Sequence, residues 1–434
     1  MFRQYQGGIL RSETVSQVLR CARRNDANRL KRMPPVVVTE NLRDEIDEWL
    51  PELIETRRDF HRHPELGLEE VRTSGIVAER LKAIGFDDVR TGLAVTGVKA
   101  VLRGGKPGKT LLLRADMDAL PIEEENDLEF RSTIAGQMHA CGHDGHTAIL
   151  LSVARLLHAR RDEIPGTIVF CFQPAEEGRG GARRMIEDGV LEDPAVDAAI
   201  GLHLISDIPT GMATAVDGPT LSAADGFRVT IQGRGGHGAI PHTTVDALLI
   251  AAEVVTTLQS LVAREINPQQ SAVVSVGTLH AGTTAANVIA DSATLSGTVR
   301  WFDADVGDHL AKRIPQLIQG IAASMRGSAE VEYRRGVGAT VNDPAVAAIV
   351  RDALAEVIGT DNVLTGPRVM ASEDFAEFTN RVPSTFFFVG CRDEDTGKDA
   401  PHHHPRFDID ERSLPLGAEM LSLAALRWLE RNSG

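Results

Sequence analysis

The ten residues from Met138 to Thr147, MHACGHDGHT, hold one thiol, three imidazoles and one carboxylate. Cys141, His143 and Asp144 are ligand types for a divalent metal. Cys141 and His143 stand two apart on a loop expected to enter a helix, so both side chains can converge on one point. A buried structural cysteine beside a satisfied histidine explains that pair equally well. Two distant clusters add weight, Gln173 to Glu177 (QPAEE) and His402 to His404. Glu176 and Glu177 follow an apolar strand, where adjacent carboxylates repel unless a cation or a proton separates them. Consecutive side chains point apart. One carboxylate can therefore bind metal while the other serves as general base and acid toward water; the plainer alternative is a solvated acidic loop. His203 in GLHL could be a core histidine, His402 to His404 an exposed turn, and Asp116 and Asp118 turn or cap carboxylates. Jointly these residues point to a hydrolase built around divalent metal.

The elements that must position them alternate. Leu42, Ile46, Leu50, Leu53 and Ile54 recur at helical spacing, closed by Pro64 and Gly67, and a second helix runs from Thr73 to Ile84 and stops at Gly85. Val95 to Leu102 reads as a strand before the turn GGKPGK, and Thr110 to Arg114 as a buried strand feeding ADMDALP. Thr147 to Ala159 has helical periodicity, Gly166 to Phe172 is apolar on both faces, and a strand from Ala198 to Leu202 precedes His203. Alternation of this kind predicts an α/β fold with a mostly parallel sheet sandwiched by helices and ligands beyond the carboxyl ends of its strands.

Between residues 223 and 333 the order changes to strand (Phe227 to Gln232), helix (Val245 to Ala263), strand (Ala272 to Leu279), strand (Ala293 to Arg300), helix (Asp308 to Met325) and strand (Ala329 to Tyr333). This βαββαβ order predicts an inserted ferredoxin-like α+β domain. Residues 41–222 and 334–434 then form the metal-binding domain, completed by a helix at Pro344 to Ile358 and a strand at Thr385 to Val389.

A chain of 434 residues is long for one core, in keeping with two domains. A net charge of −15 gives no electrostatic footprint for nucleic acid or an anionic membrane surface, which leaves small molecules as partners. No run of about 18 apolar residues predicts a membrane span. Cys21, Cys141, Cys171 and Cys391 lack paired spacing, so a reducing cytoplasm is expected. Residues 1–40 are expected to be a disordered extension, with Met33 as the true start, rather than a targeting segment. Two look-alikes drop out. Gly104 to Thr110, GGKPGKT, imitates a phosphate loop, but Arg103 stands where its first glycine belongs and a strand follows. No GxSxG is present, which argues against a serine hydrolase.

From Arg57 to Gly417 the chain resembles the aminoacylase/carboxypeptidase family of two-domain metallohydrolases, in the branch of hippurate hydrolase and the indoleacetyl-amino-acid hydrolases. The carrying stretches are RRDFHRHPELGLEE, LLRADMDALPIEEE, MHACGHDGHTA, FQPAEEGRGGARRMIEDGVL, GLHL, GRGGHGAIPH, VVSVGTLHAGTTAANVIADSATLSGTVR, SEDFAEF and HHHPRFDIDE. The resemblance implies two divalent ions per subunit, zinc or manganese with cobalt or nickel as alternatives, held by Cys141, His143, Glu177, His203 and a C-terminal histidine. His403 fits the His-x-Pro-x-Phe pattern for that last ligand. It implies Cys141 as the bridge, where relatives elsewhere carry a carboxylate, Glu176 as general base and Asp118 as an orienting residue. Asp116 stands at a ligand position of sister branches. The inserted domain matches the family's lid and dimerisation domain, which implies a homodimer. Its His237 matches a residue that polarises the scissile carbonyl, often in the partner's site, or else merely satisfies a glycine turn. Asn287 and Arg300 match positions that hold a substrate carboxylate, unless Arg300 is only a surface strand residue. The implied activity is hydrolysis of N-acyl amino acids to a carboxylic acid and a free amino acid. Its rivals are a dipeptidase or carboxypeptidase with the same centre, and a silent metal- or ligand-binding protein.

Overall fold

A computed structural model describes residues 41–366 and 368–433; the expectations for residues 1–40 lie outside the described residues. The chain enters through helices α1 (Leu42–Glu48), α2 (Leu50–Arg62) and α3 (Val71–Ile84). The one helix expected from Asn41 is thus two, parted at Trp49. Pro51 in the first turn of α2 has no N–H to continue a helical ladder from Asp47.

Strands β1 (Asp88–Leu93), β2 (Gly97–Arg103), β3 (Lys106–Asp116), β4 (Pro165–Gln173), β5 (Ala198–Pro209) and β6 (Ser384–Arg392) make the large sheet, in the order β1-β2-β4-β3-β5-β6. The two-residue strands Ala213–Thr214 and Val363–Leu364 extend its far edge. The four central strands are parallel, while β1 and β2 join antiparallel. Most of the expected turn GGKPGK is strand: only Gly104 and Gly105 turn, and β3 begins at Lys106, paired with Pro165. Thr110 to Asp116 are buried at every position, as a strand covered on both faces requires. Leu112 packs against Met185 and Phe375 on one face. The opposite face carries α4 (His143–Ala159) and, after α5 (Pro344–Ile358), α6 (Ser413–Arg431).

Residues 223–337 build a second, antiparallel sheet in the order Ala272–Ala281, Ser292–Trp301, Ala223–Gln232, Ser328–Val337. Helices Ala247–Ser260 and Ala304–Ser324 supply Ile250, Val254, Leu310 and Ile314 to a core shared with Phe227, Val229 and Leu295. That strand order is the one βαββαβ connectivity produces. The stretch Ala247–Glu265 is long and apolar enough by composition to cross a membrane, which the sequence reading did not anticipate. It buries one face on the sheet and leaves Leu248 and Leu249 47% and 49% exposed.

Candidate metal centre

The carboxyl ends of β3 and β4, the outer half of β5 and the loop after β6 meet at one edge. Gly142, at a φ of 88°, turns the chain into α4, and a Cβ on Gly145 would come within 2.7 Å of Leu204. A larger residue there would have to push aside the Leu204, Ile409 and Leu414 side chains that pack the first turn of α4 against β5. His143 and Asp144 therefore sit inside the helix, not on a loop before it as expected, because α4 starts four residues ahead of its apolar periodicity. His143 Nδ1 donates to the Asp118 carbonyl at 2.8 Å, and Nε2 is buried with no hydrogen-bond partner, 3.7 Å from an Asp116 oxygen. Asp144 turns away from the cluster and accepts from Arg57 and His61, at 2.8 Å each.

The acidic pair is held by its backbone. Asp118 accepts the Glu176 and Glu177 amides at 3.0 Å each, one per oxygen. Ala175 before them takes a φ of 57° and donates to buried Glu70 at 2.9 Å. A non-glycine residue in this region persists only when its surroundings hold it, and here Glu70 and Asp118 do so. Asp118 is thus placed to orient the pair.

His203 lies within β5, which runs on to Pro209, and not after a strand end as expected. Its Nδ1 donates to the Leu204 carbonyl at 2.6 Å and its Nε2 lies 3.5 Å from the Cys141 sulfur. Among the three C-terminal histidines, His403 is the one that joins a ligand group, with Cys141 and Glu177. It adopts a φ of 63°, donates its amide to Ala140 at 2.8 Å and brings Nε2 to 3.1 Å from Glu177 Oε1. His402 instead stacks on Phe407 and accepts from the Ser206 amide, and His404 accepts from the Arg406 amide.

The ligating atoms fall into groups, each within 4.8 Å: Cys141, His143 and His203; Cys141, Glu177 and His403; and His143, Glu176 and Glu177. One thiol belongs to the first two groups. Glu177 Oε1, although near His403, has no partner in hydrogen-bond geometry. Two orphaned buried atoms among thiol, imidazole and carboxylate donors fit divalent metal. Burial and the neighbouring His146 and His402 hold the His203 ring well below the ordinary imidazole range, and hence neutral. Burial pushes the Cys141 thiol up, so without a cation it keeps its proton. Burial, then Glu373, Asp374 and Glu177, raise the Glu176 carboxyl well above the ordinary range.

Asp116 groups with His143 and His146 within 4.8 Å, but one of its oxygens already accepts from His146 at 2.6 Å and the other from Arg114 at 2.7 Å. His237 and Asn287 are exposed and adjoin each other at the far end of the second sheet. Arg300 is half-buried at the opposite end, where it pairs with Ala224 while Ser292 pairs with Gln232. Eight strand residues at about 3.4 Å each separate those ends by roughly 27 Å. In one chain Asn287 and Arg300 therefore cannot grip the same carboxylate.

The sequence reading missed Arg114, His146, Glu373 and Asp374. An arginine two positions before Asp116 in a buried strand was the available signal, because a buried cation demands paired anions. Glu373 and Asp374 were visible only as part of SEDFAEF.

Glu70, which holds the Ala175 turn, carries a stability prediction. Burial and the nearby Asp118 charge lift its carboxyl from 4.5 to about 7. The folded chain then holds a proton that the unfolded chain releases, so this contribution is full below pH 4.5 and is lost as pH rises through 7. Thermal melts of metal-free protein are expected to show Glu70→Gln matching the parent near pH 5 and exceeding it by up to roughly 3 kcal/mol at pH 8. A constant difference across that range would refute the assignment.

The sequence profile of peptidase family M20/M25/M40 matches residues 112–427. Thermostable carboxypeptidase 1 of Saccharolobus solfataricus is 40% identical over 388 residues, covering 88% of this chain and 96% of that protein. N-acetyl-L-cysteine deacetylase of Bacillus subtilis is 40% identical over 381 residues, covering 88% of this chain and 89% of that protein. The crystal structure of the Bacillus subtilis YXEP protein, named a dinuclear metal binding peptidase from the M20 family, matches with a TM-score of 0.77 at 33% identity, covering 88% of this chain and 99% of that one. The chain belongs to peptidase family M20/M25/M40.

Proposed function

We propose that the protein is a metal-dependent amidohydrolase that cleaves N-acyl amino acids to a carboxylic acid and a free amino acid. The observation that carries this reading is the shared thiol: Cys141 belongs to both ligand groups, and Glu176 stands beside them with its carboxyl raised by burial. Two divalent ions, zinc or manganese with cobalt or nickel as alternatives, would be held by Cys141, His143, His203, Glu177 and His403. When bound they supply Lewis acidity toward the amide carbonyl and the attacking water. Glu176 takes the proton of that water and returns it to the leaving amine. Asp118 keeps the pair Glu176 and Glu177 in register through their amides. The relative named N-acetyl-L-cysteine deacetylase supports an acyl amino acid as substrate. A thiol at the centre must stay reduced to serve as a ligand, which fits a cytoplasmic setting.

Residues 223–333 act in this reading as lid and dimerisation domain. The apolar outer face at Leu248 and Leu249 fits a second copy of the chain. The roughly 27 Å between Arg300 and the His237–Asn287 end supports a site completed by the partner's lid, with Arg300 as the bidentate anchor for the substrate carboxylate. Leu248→Glu with Leu249→Glu is expected to give monomers in sedimentation velocity that still bind metal but have lost most of their turnover. A dimeric double variant would remove this surface from the assembly.

The relative named a carboxypeptidase keeps a peptidase reading in play, and one experiment separates the two. Amino acid release is followed from a panel of N-acetyl and N-benzoyl amino acids and from unblocked dipeptides, before chelation, after it, and after return of zinc or manganese. Chelator-sensitive, metal-restored cleavage of the acyl substrates is expected. Cleavage of dipeptides alone would replace this reading with the peptidase, and silence on both would favour a binding protein.

A further inference from the structure

The following rests on the metal-centre reading above. We propose that Arg114 is a positioning residue: its one buried guanidinium fixes, through two hydrogen-bonded arms, the separation between the strand carrying His203 and the base Glu176. Arg114 on β3 has a fully buried side chain, and each of its three nitrogens donates. The first arm runs from Nη1 to Asp116 at 2.7 Å, and from the other Asp116 oxygen to His146 Nδ1 at 2.6 Å. That contact makes Nδ1 the protonated nitrogen, so His146 Nε2 accepts the Leu204 amide at 2.8 Å. Leu204 is the residue whose carbonyl orients the His203 ring. The first arm therefore ends on the residue whose carbonyl aims a metal ligand.

The second arm runs from Nη2 to Glu373 at 2.8 Å and to Asp374 at 3.2 Å. Arg114 Nε donates to Gln173 at 2.9 Å, and Gln173 in turn donates to Asp374 at 2.7 Å. Asp374 also accepts the Ala182 amide at 2.9 Å, and its own amide points to Glu176 Oε1 at 3.4 Å. The loop that touches the base is thus hung from the same guanidinium as the loop that aims the ligand. A lysine cannot do this, because the task needs several donors in one rigid plane. Stability alone is a poor reason for the arrangement, since apolar residues of similar volume commonly replace a buried ion network without loss. Partners of this kind that orient metal ligands typically control affinity or activity by about 10- to 100-fold.

Three variants test the proposal, each read by cobalt affinity, by the cobalt–thiolate absorption spectrum and by kcat and KM on the acyl substrate found above. His146→Gln, which cuts the first arm at Asp116, is expected to weaken cobalt binding by about 10- to 100-fold and to shift the spectrum. Glu373→Gln, which weakens the second arm at one of its two carboxylate anchors and leaves the Gln173–Asp374 contact in place, is expected to keep affinity and spectrum while kcat falls about tenfold or more at unchanged KM. Arg114→Lys is expected to show both defects; if it does not fold, the other two still decide. Wild-type affinity, spectrum and kcat in His146→Gln and Glu373→Gln, with only a lowered melting temperature, would overturn the proposal and leave Arg114 a residue of the fold. If the parent binds cobalt but cleaves nothing, the amidohydrolase reading falls, while affinity and spectrum still test the first arm.

Discussion

Glu176→Gln, saturated with metal, is expected to lose kcat by about 10²- to 10⁴-fold while KM stays within a factor of a few. The substitution keeps size and shape, and a glutamine oxygen still accepts the Asp374 amide that Glu176 now receives at 3.4 Å. It removes only the ability to take a proton from water. Glu176 is suited to that work because burial, Glu373, Asp374 and Glu177 all raise its proton affinity, which brings it nearer to the neutral range where a general base is most effective. Steady-state kinetics alongside metal analysis check the claim. Near-normal turnover in a fully loaded variant would mean that another group moves the proton.

Removal of metal is expected to abolish turnover and to lower the melting temperature. His143 Nε2 is buried without a hydrogen-bond partner and Glu177 Oε1 is met only by His403 outside hydrogen-bond geometry, and a buried polar atom left unsatisfied costs about 1–3 kcal/mol. Metal at about a thousand times its dissociation constant adds roughly 4 kcal/mol to stability. The Cys141 thiol is held protonated by burial, so it must give up its proton to become a ligand. Calorimetric titration with zinc in buffers of different ionisation enthalpy is therefore expected to show net proton release near neutral pH. Cys141→Ser is expected to reduce that release by about one proton and to bind metal more weakly. Equal release by the parent and Cys141→Ser would mean that the thiol is not a ligand.

The parts of the fold that periodicity could reveal were legible. The helix at Pro344–Ile358 and the strand order of residues 223–337 follow from apolar spacing and from Pro and Gly punctuation. Where chemistry overrides periodicity, the reading slipped. The first turn of α4 is polar because it carries His143, Asp144 and His146, so the helix seemed to begin at Thr147. β5 seemed to end before His203 because histidine and Ser206 interrupt its apolar run, yet its pairing with β6 continues to Pro209. Cys141, Glu176, Glu177 and His403 were visible as types, but only geometry separates His403 from its two neighbours. The Arg114 network joins residues more than 250 positions apart, and no local pattern announces such a pairing.

The length of the second sheet also bears on how the protein behaves when it is scarce. A strand pair that parts Arg300 from His237 by roughly 27 Å makes a single copy, in the two-copy reading, an enzyme with part of its pocket missing. Specific activity then depends on how crowded the protein is with itself, falling on dilution below the dimer dissociation constant and recovering on concentration.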